Sequence, residues 1–227
     1  MRTFKIHFIR HGLTLANLEG KYIGSTDVPL CKEGINRLNK LKESYNYPKT
    51  NVVYTSPLKR CKETAKIFYP EANIIDVPGL SECDFGKWEG KTAGELKDNK
   101  EFIAWLSGKE TPENMHGESM GDFSKRICNS LEEIITEAIK EQRENTVIVT
   151  HGGVIMSLLS LYGLPRAKSL DWIVGNGCGY SVRVTPSLFM KDKVFEVYSK
   201  LPLAEITEAK TETKYIYDVL QNQSDVN

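Results

Sequence analysis

The sequence predicts an α/β fold, a three-layer sandwich with helices on both faces of a mainly parallel central sheet. Three observations predict it. Short apolar runs alternate with helical patterns along the chain, the arrangement that produces helix-covered parallel sheets. The run at residues 146–150, Thr-Val-Ile-Val-Thr, has the β-branched character of a strand buried on both faces. The chain has 227 residues, 40% of them hydrophobic and 26% charged, ordinary for a globular protein and enough to bury a core without disulfides or metal.

The elements follow in order. Residues 4–9 place Phe4, Ile6 and Phe8 at alternate positions, with Ile9 added, and read as a strand. Residues 51–55 read as a second strand. Ser56 and Pro57 then offer an N-cap with proline at the first helical position, and Leu58, Cys61, Ala65 and Phe68 form one apolar stripe behind them. Residues 73–77 give a third strand. Ser119 and Asp122 form a loose capping box ahead of Phe123, Ile127, Leu131, Ile134 and Ala138, which repeat at near-helical spacing over about five turns. After the fourth strand, Gly152 and Gly153 open an almost wholly apolar stretch, 154–162, that reads as a buried helix. A glycine-rich turn at 175–179 leads into two further strands, 180–185 and 194–198, read as an antiparallel edge.

The 30 basic and 30 acidic residues cancel, and no polybasic run points to nucleic acid or to an anionic membrane, so neither is an expected partner. Residues 1–10 read as a charged strand rather than a signal peptide, and no apolar run has the length of a membrane span. The five cysteines are scattered without a CxxC pair, which reads as reduced thiols in a cytoplasmic protein. No His, Cys or Asp cluster has metal-ligand spacing, so neither metal nor cofactor is expected. His7 is expected to point away from the sheet edge where the strand ends gather, and reads as a core or surface residue.

In such sheets ligands bind beyond the carboxyl ends of the strands. There the sequence places Arg10-His11-Gly12 after strand one, Ser56 to Arg60 after strand two, Glu82 after strand three and His151-Gly152-Gly153 after strand four. Each residue alone has a bland reading, as a solvated helix residue, a surface acid or a hydrogen-bonded core histidine. Together they bring two histidines, two arginines and a carboxylate to one edge.

These motifs resemble the histidine phosphatase superfamily, also called phosphoglycerate-mutase-like. The resemblance rests on Arg10-His11-Gly12-Leu13-Thr14 with Asn17, on the runs from Tyr22 to Leu30 and from Tyr54 to Ala65, on Leu80-Ser81-Glu82 through Gly90, on Gly117-Glu118-Ser119 and on His151-Gly152-Gly153. It implies that His11 is the nucleophile and forms a phosphohistidine. Arg10 and Arg60 then bind phosphate, His151 donates to its oxygens, and Glu82 is the general acid. Asn17 and the backbone N–H of Gly152 are further expected phosphate donors.

Phe85 to Gly90 most resembles phosphatases of the α-ribazole phosphatase type, acting on a small phosphate monoester. Two departures stand out. Leu13 occupies a site where the family often has Glu, and no Glu-Arg-His-Tyr-Gly insertion follows Glu82, which weakens the alternative of a phosphoglycerate mutase. A non-catalytic phospho-ligand-binding regulator is a third reading, disfavoured because all five core positions are intact.

The expected organisation is one histidine phosphatase domain over residues 1–204, with an insertion at about 97–121, and a C-terminal extension, 205–227, read as a helix and then a frayed tail. The insertion carries Phe102, Trp105, Met115 and His116. Two readings of it stand, a lid over the part of the substrate beyond phosphate or a helical hairpin packed by its own aromatics.

Overall fold

The computed structural model describes residues 2–106 and 117–203. Seven strands form one sheet: β1 (Phe4–Arg10), β2 (Val52–Thr55), β3 (Asn73–Asp76), β4 (Asn145–Thr150), β5 (Gly163–Leu164), β6 (Gly179–Val184) and β7 (Phe195–Leu201). The order across the sheet is β3-β2-β4-β1-β6-β7-β5. β1, β2, β3 and β4 run parallel, β6 is antiparallel to both β1 and β7, and β5 joins β7 in parallel. The helices are α1 (Leu15–Leu18), α2 (Lys32–Ser44), α3 (Lys59–Phe68), α4 (Ala93–Leu96), α5 (Lys100–Leu106), α6 (Met120–Lys140), α7 (Gly152–Tyr162) and α8 (Pro186–Asp192).

Strand periodicity divides the core in two. Phe4, Ile6 and Phe8 of β1, with Tyr54 and Ile148, pack against α6 and α7 through Phe123, Ile127, Leu131, Ile155 and Leu158. The neighbours that point the other way, Ile9, Val53, Val147 and Val149, pack against Leu38 and Leu41 of α2 and Cys61, Ala65 and Phe68 of α3. A side-chain period of two on each strand thus yields three layers. The apolar stripe predicted for α6 is buried in full at Phe123, Ile127, Leu131, Ile134 and Ala138, and Ser119 caps it by accepting from the Asp122 N–H.

The helix after β2 begins later than the Ser56-Pro57 pattern predicts. Its N-cap is Leu58, which makes no side-chain cap bond. The Ser56 hydroxyl lies 2.8 Å from Nε2 of His151, while the first helical N–H, that of Lys59, donates to Asp27 Oδ1 at 2.7 Å. A buried ring nitrogen has no water to bond, so it competes well for the serine, and a neighbouring loop supplies the cap instead. β6 is antiparallel as expected but lies inside the sheet, with β7 and the two-residue β5 beyond it. α2 is weakly marked in sequence because its buried residues are only Gly34, Leu38 and Leu41.

Phe102 is buried and Trp105 half-buried, packed among the rings of Tyr22, Phe85 and Trp88. Met115, His116 and the expected extension at 205–227 lie outside the described residues. Among the described residues no helix is long and apolar enough to cross a membrane, and all five cysteines are free thiols.

Candidate active site

The ladder continues one residue past the strand ends. His11 N–H donates to Thr150 O at 2.9 Å and Ser56 N–H to Val149 O at 3.1 Å, so His11, Ser56 and His151 leave the sheet side by side. The His11 and His151 rings lie 5.1 Å apart, centre to centre, at 64°. Both residues are buried.

His11 Nδ1 is 2.7 Å from the carbonyl oxygen of its neighbour Gly12. A carbonyl only accepts, so Nδ1 carries the proton and Nε2 is left with its lone pair. Burial holds His11 well below the ordinary imidazole value, and the positive charges of Arg60 and Arg10 push it further down. His151 is lowered by the same burial, by His11 and by the two arginines. Two neutral imidazoles therefore face each other near neutral pH.

Arg60 is 1% exposed, its guanidinium donating to Thr26 O at 2.8 Å and Gly24 O at 2.7 Å. Those carbonyls stay in place because Glu89 takes the N–H groups of Ser25 and Thr26 at 2.7 and 2.9 Å. Glu89 thus braces the loop whose carbonyls hold Arg60. Arg10 donates to Val174 O at 2.7 Å, and its Nε is buried without a partner among the described residues. A buried guanidinium N–H left unpaired is costly, and an anion would satisfy it. A Cβ on Gly152 would come within 3.3 Å of that Nε, so the glycine makes room for Arg10. Gly152 is the first residue of α7, where the N–H has no intrahelical acceptor and the helix dipole favours an anion.

Glu82 lies where the sequence puts it, beyond β3. Its Oε2 accepts from Gly153 N–H at 2.9 Å and its Oε1 from Cys83 N–H at 3.1 Å. Burial raises its pKa, although those two N–H bonds and the arginines pull the other way. The structure brings Arg10, His11, Arg60, Glu82, His151 and Gly152 together. Asn17 serves α1 first, its Oδ1 accepting from Thr14 N–H at 3.1 Å and from the Thr14 hydroxyl at 3.0 Å. Its half-buried side chain keeps the amide NH₂ for another acceptor.

Several supporting residues escaped the sequence reading. Asn176, in the glycine-rich turn to which the sequence assigns no chemistry, is buried and donates to His11 O at 2.9 Å. Thr64 takes the Gly12 N–H at 2.9 Å and the Thr150 hydroxyl holds Leu80 O at 2.7 Å. A polar residue on an apolar helix face was the one available signal, and Thr64 carries it. His7 bonds Ser181 and Asn145 at 2.8 and 3.2 Å, apart from this cluster. Among the described residues no group of three His, Cys, Asp or Glu side chains forms a metal-binding set.

The family model for the histidine phosphatase superfamily (branch 1) matches residues 6–194. The adenosylcobalamin/α-ribazole phosphatase of Escherichia coli is 28% identical over 186 residues, 79% of this chain and 90% of that protein. The metal-independent phosphoserine phosphatase of Arabidopsis thaliana is 32% identical over 163 residues, 68% of this chain and 66% of the relative. The crystal structure of the α-ribazole phosphatase from Shigella flexneri superposes with a TM-score of 0.67 at 26% identity, covering 86% of this chain and 95% of that one. With the strand-end cluster of two histidines, two arginines and a carboxylate in place, the match over residues 6–194 settles the lineage: the chain belongs to the histidine phosphatase superfamily.

Proposed function

We propose that this chain hydrolyses a small phosphate monoester in two steps through a phosphohistidine on His11. The observation that carries the reading is the tautomer of His11: Nδ1–H is committed to Gly12 O, and burial and two arginines keep the ring neutral, so Nε2 is a free nucleophile.

In the first step Nε2 attacks phosphorus in line with the leaving oxygen. Arg10, Arg60, Asn17 and the Gly152 N–H neutralise the phosphoryl oxygens, and His151 donates to them as charge builds. Glu82 gives its proton to the departing alkoxide, so the alcohol leaves neutral. In the second step carboxylate Glu82 takes a proton from water as the water attacks the phosphohistidine. The N–P bond breaks, phosphate departs and His11 and Glu82 are restored. Positive charge for both steps comes from the arginines, and no metal enters the scheme.

α-Ribazole 5′-phosphate is the first substrate to test, on the likeness to the E. coli and Shigella proteins, and phosphoserine the second, on the likeness to the Arabidopsis one. The mutase reading is the weaker one, because no Glu-Arg-His-Tyr-Gly insertion follows Glu82. The five free thiols favour a reducing, cytoplasmic setting. The test is turnover against a panel containing α-ribazole phosphate, phosphoserine and 3-phosphoglycerate, run beside His11→Ala. Phosphate release by wild type, with a loss on the order of 10³-fold or more in a folded variant, is the expected result. Isomerisation of 3-phosphoglycerate without net phosphate release would contradict the hydrolase reading.

A further inference from the structure

Two backbone N–H groups aim the carboxyl of Glu82, but the loop it stands on lies outside the sheet. After β3 the chain makes one turn of 3-10 helix, Pro78–Leu80, and then carries Ser81 and Glu82 toward the histidines. Every carbonyl from residue 79 to 82 is held by a side chain from another element. Thr150 takes Leu80 O at 2.7 Å. The other three converge on one guanidinium, that of Arg126 in α6, which donates to Gly79 O at 3.0 Å, Ser81 O at 2.6 Å and Glu82 O at 2.9 Å.

The far edge of the same guanidinium is braced. Nε and NH2 of Arg126 meet the two oxygens of Glu118 at 2.5 and 2.7 Å, a bidentate pair whose side chains are 27% and 17% exposed. Glu118 is itself tied to the loop, its N–H donating to Asp84 O at 2.9 Å. A guanidinium has five donors in a rigid plane, so it can fix three carbonyls and a carboxylate in one geometry, as an ammonium cannot. The positive charges acting most on the Glu82 carboxyl are Arg60 and Arg10, not Arg126. Arg126 therefore reaches Glu82 through backbone geometry.

We propose that Arg126, braced by Glu118, is a positioning residue for the proton-transfer step, fixing the backbone of residues 79–82 so that the Glu82 carboxyl reaches the leaving oxygen. The inference rests on the reading of Glu82 as general acid. A displacement of about 1 Å is enough to matter for a group that must stay within hydrogen-bond reach of its proton acceptor.

The experiment measures pre-steady-state phosphoenzyme formation from an alkyl phosphate and from p-nitrophenyl phosphate, whose leaving group needs little protonation. The proteins are wild type, Glu82→Gln, Arg126→Gln, Arg126→Lys and the double variant Glu82→Gln/Arg126→Gln. Arg126→Gln is expected to slow the alkyl reaction by about 10- to 100-fold and the aryl reaction by less than about 3-fold, a partial loss of the roughly 10²–10⁴-fold that acid–base catalysis contributes. Arg126→Lys keeps the charge but not the fork and is expected to behave likewise. The double variant should be no more than about 3-fold slower than Glu82→Gln, because both changes remove one interaction. Glu118→Gln should show the same selectivity at smaller amplitude, and it carries the test if Arg126→Gln does not fold. Equal slowing of both substrates, full activity in Arg126→Lys or additive losses in the double variant would overturn the inference while leaving a selective Glu82→Gln intact. A Glu82→Gln variant that slows both substrates equally removes the acid assignment, and this inference with it.

Discussion

Gly153 and Glu82 fit together because neither leaves space for a methyl group. The Gly153 N–H donates to Glu82 Oε2 at 2.9 Å, and a Cβ at position 153 would lie 2.5 Å from Oε1. The clashing atom is the tip of a flexible side chain, so Gly153→Ala should displace the carboxyl and leave the helix intact. Alkyl phosphate turnover is expected to fall by about 10-fold or more. Thermal stability should hold or rise, since alanine in a helix is better than glycine by up to about 1 kcal/mol. An enzyme that is less active and no less stable marks the contact as functional; unchanged activity would refute it.

The pH dependence of kcat/KM follows from two opposite shifts. Glu82 must be protonated, and burial raises its pKa, so activity declines only as pH rises through that raised value. His11 must be neutral, and burial with two arginines lowers it well below 6.5, so no acid limb is expected near 6.5. Glu82→Gln should abolish the basic limb. A wild-type acid limb centred near 6.5 would show that His11 is an ordinary imidazole.

Stability responds to pH through His7, which is 3% exposed and lowered by burial from 6.5 to about 4. The folded form resists the proton that the unfolded chain accepts. His7 thus leaves stability unaffected above 6.5 and takes it away as pH falls from 6.5 toward 4, by about 3 kcal/mol in full. Urea unfolding at pH 7 and pH 4.5 should show this decline, and His7→Gln should show a smaller one. The buried His11 and His151 act in the same direction. Parallel declines in the two proteins would count against a buried neutral His7.

Activity on an aryl phosphate should survive exhaustive EDTA treatment. Arg10 and Arg60 supply the charge that a metal brings to other phosphatases, and neutral His151 adds a hydrogen-bond donor. Loss of activity that zinc or magnesium restores would overturn this scheme.

The sequence made the two layers of core legible because strand period and helix period are written in apolar residues such as Phe4, Ile6 and Phe8, or Phe123, Ile127 and Leu131. It also placed His11, Glu82 and His151 at strand ends, since each follows a recognisable strand. Ser56 misled, because its cap signal is local while its partner, His151, is 95 residues away. Arg126 and Asn176 were invisible for a related reason. Both act on backbone carbonyls, which every residue has, so no pattern of side chains announces the contact. Gly153 could have been found as half of a glycine pair, but only coordinates show which carboxyl fills the missing Cβ.

If His11 carries the phosphoryl group between the two steps, the phosphohistidine can be trapped. Wild type and His11→Ala are mixed with substrate, quenched in alkali within the first turnover and digested for mass spectrometry. An acid-labile phosphoryl group is expected on His11 in wild type and none in the variant. Full turnover with no phosphohistidine at any quench time, or a phosphoryl group on another residue, would contradict it.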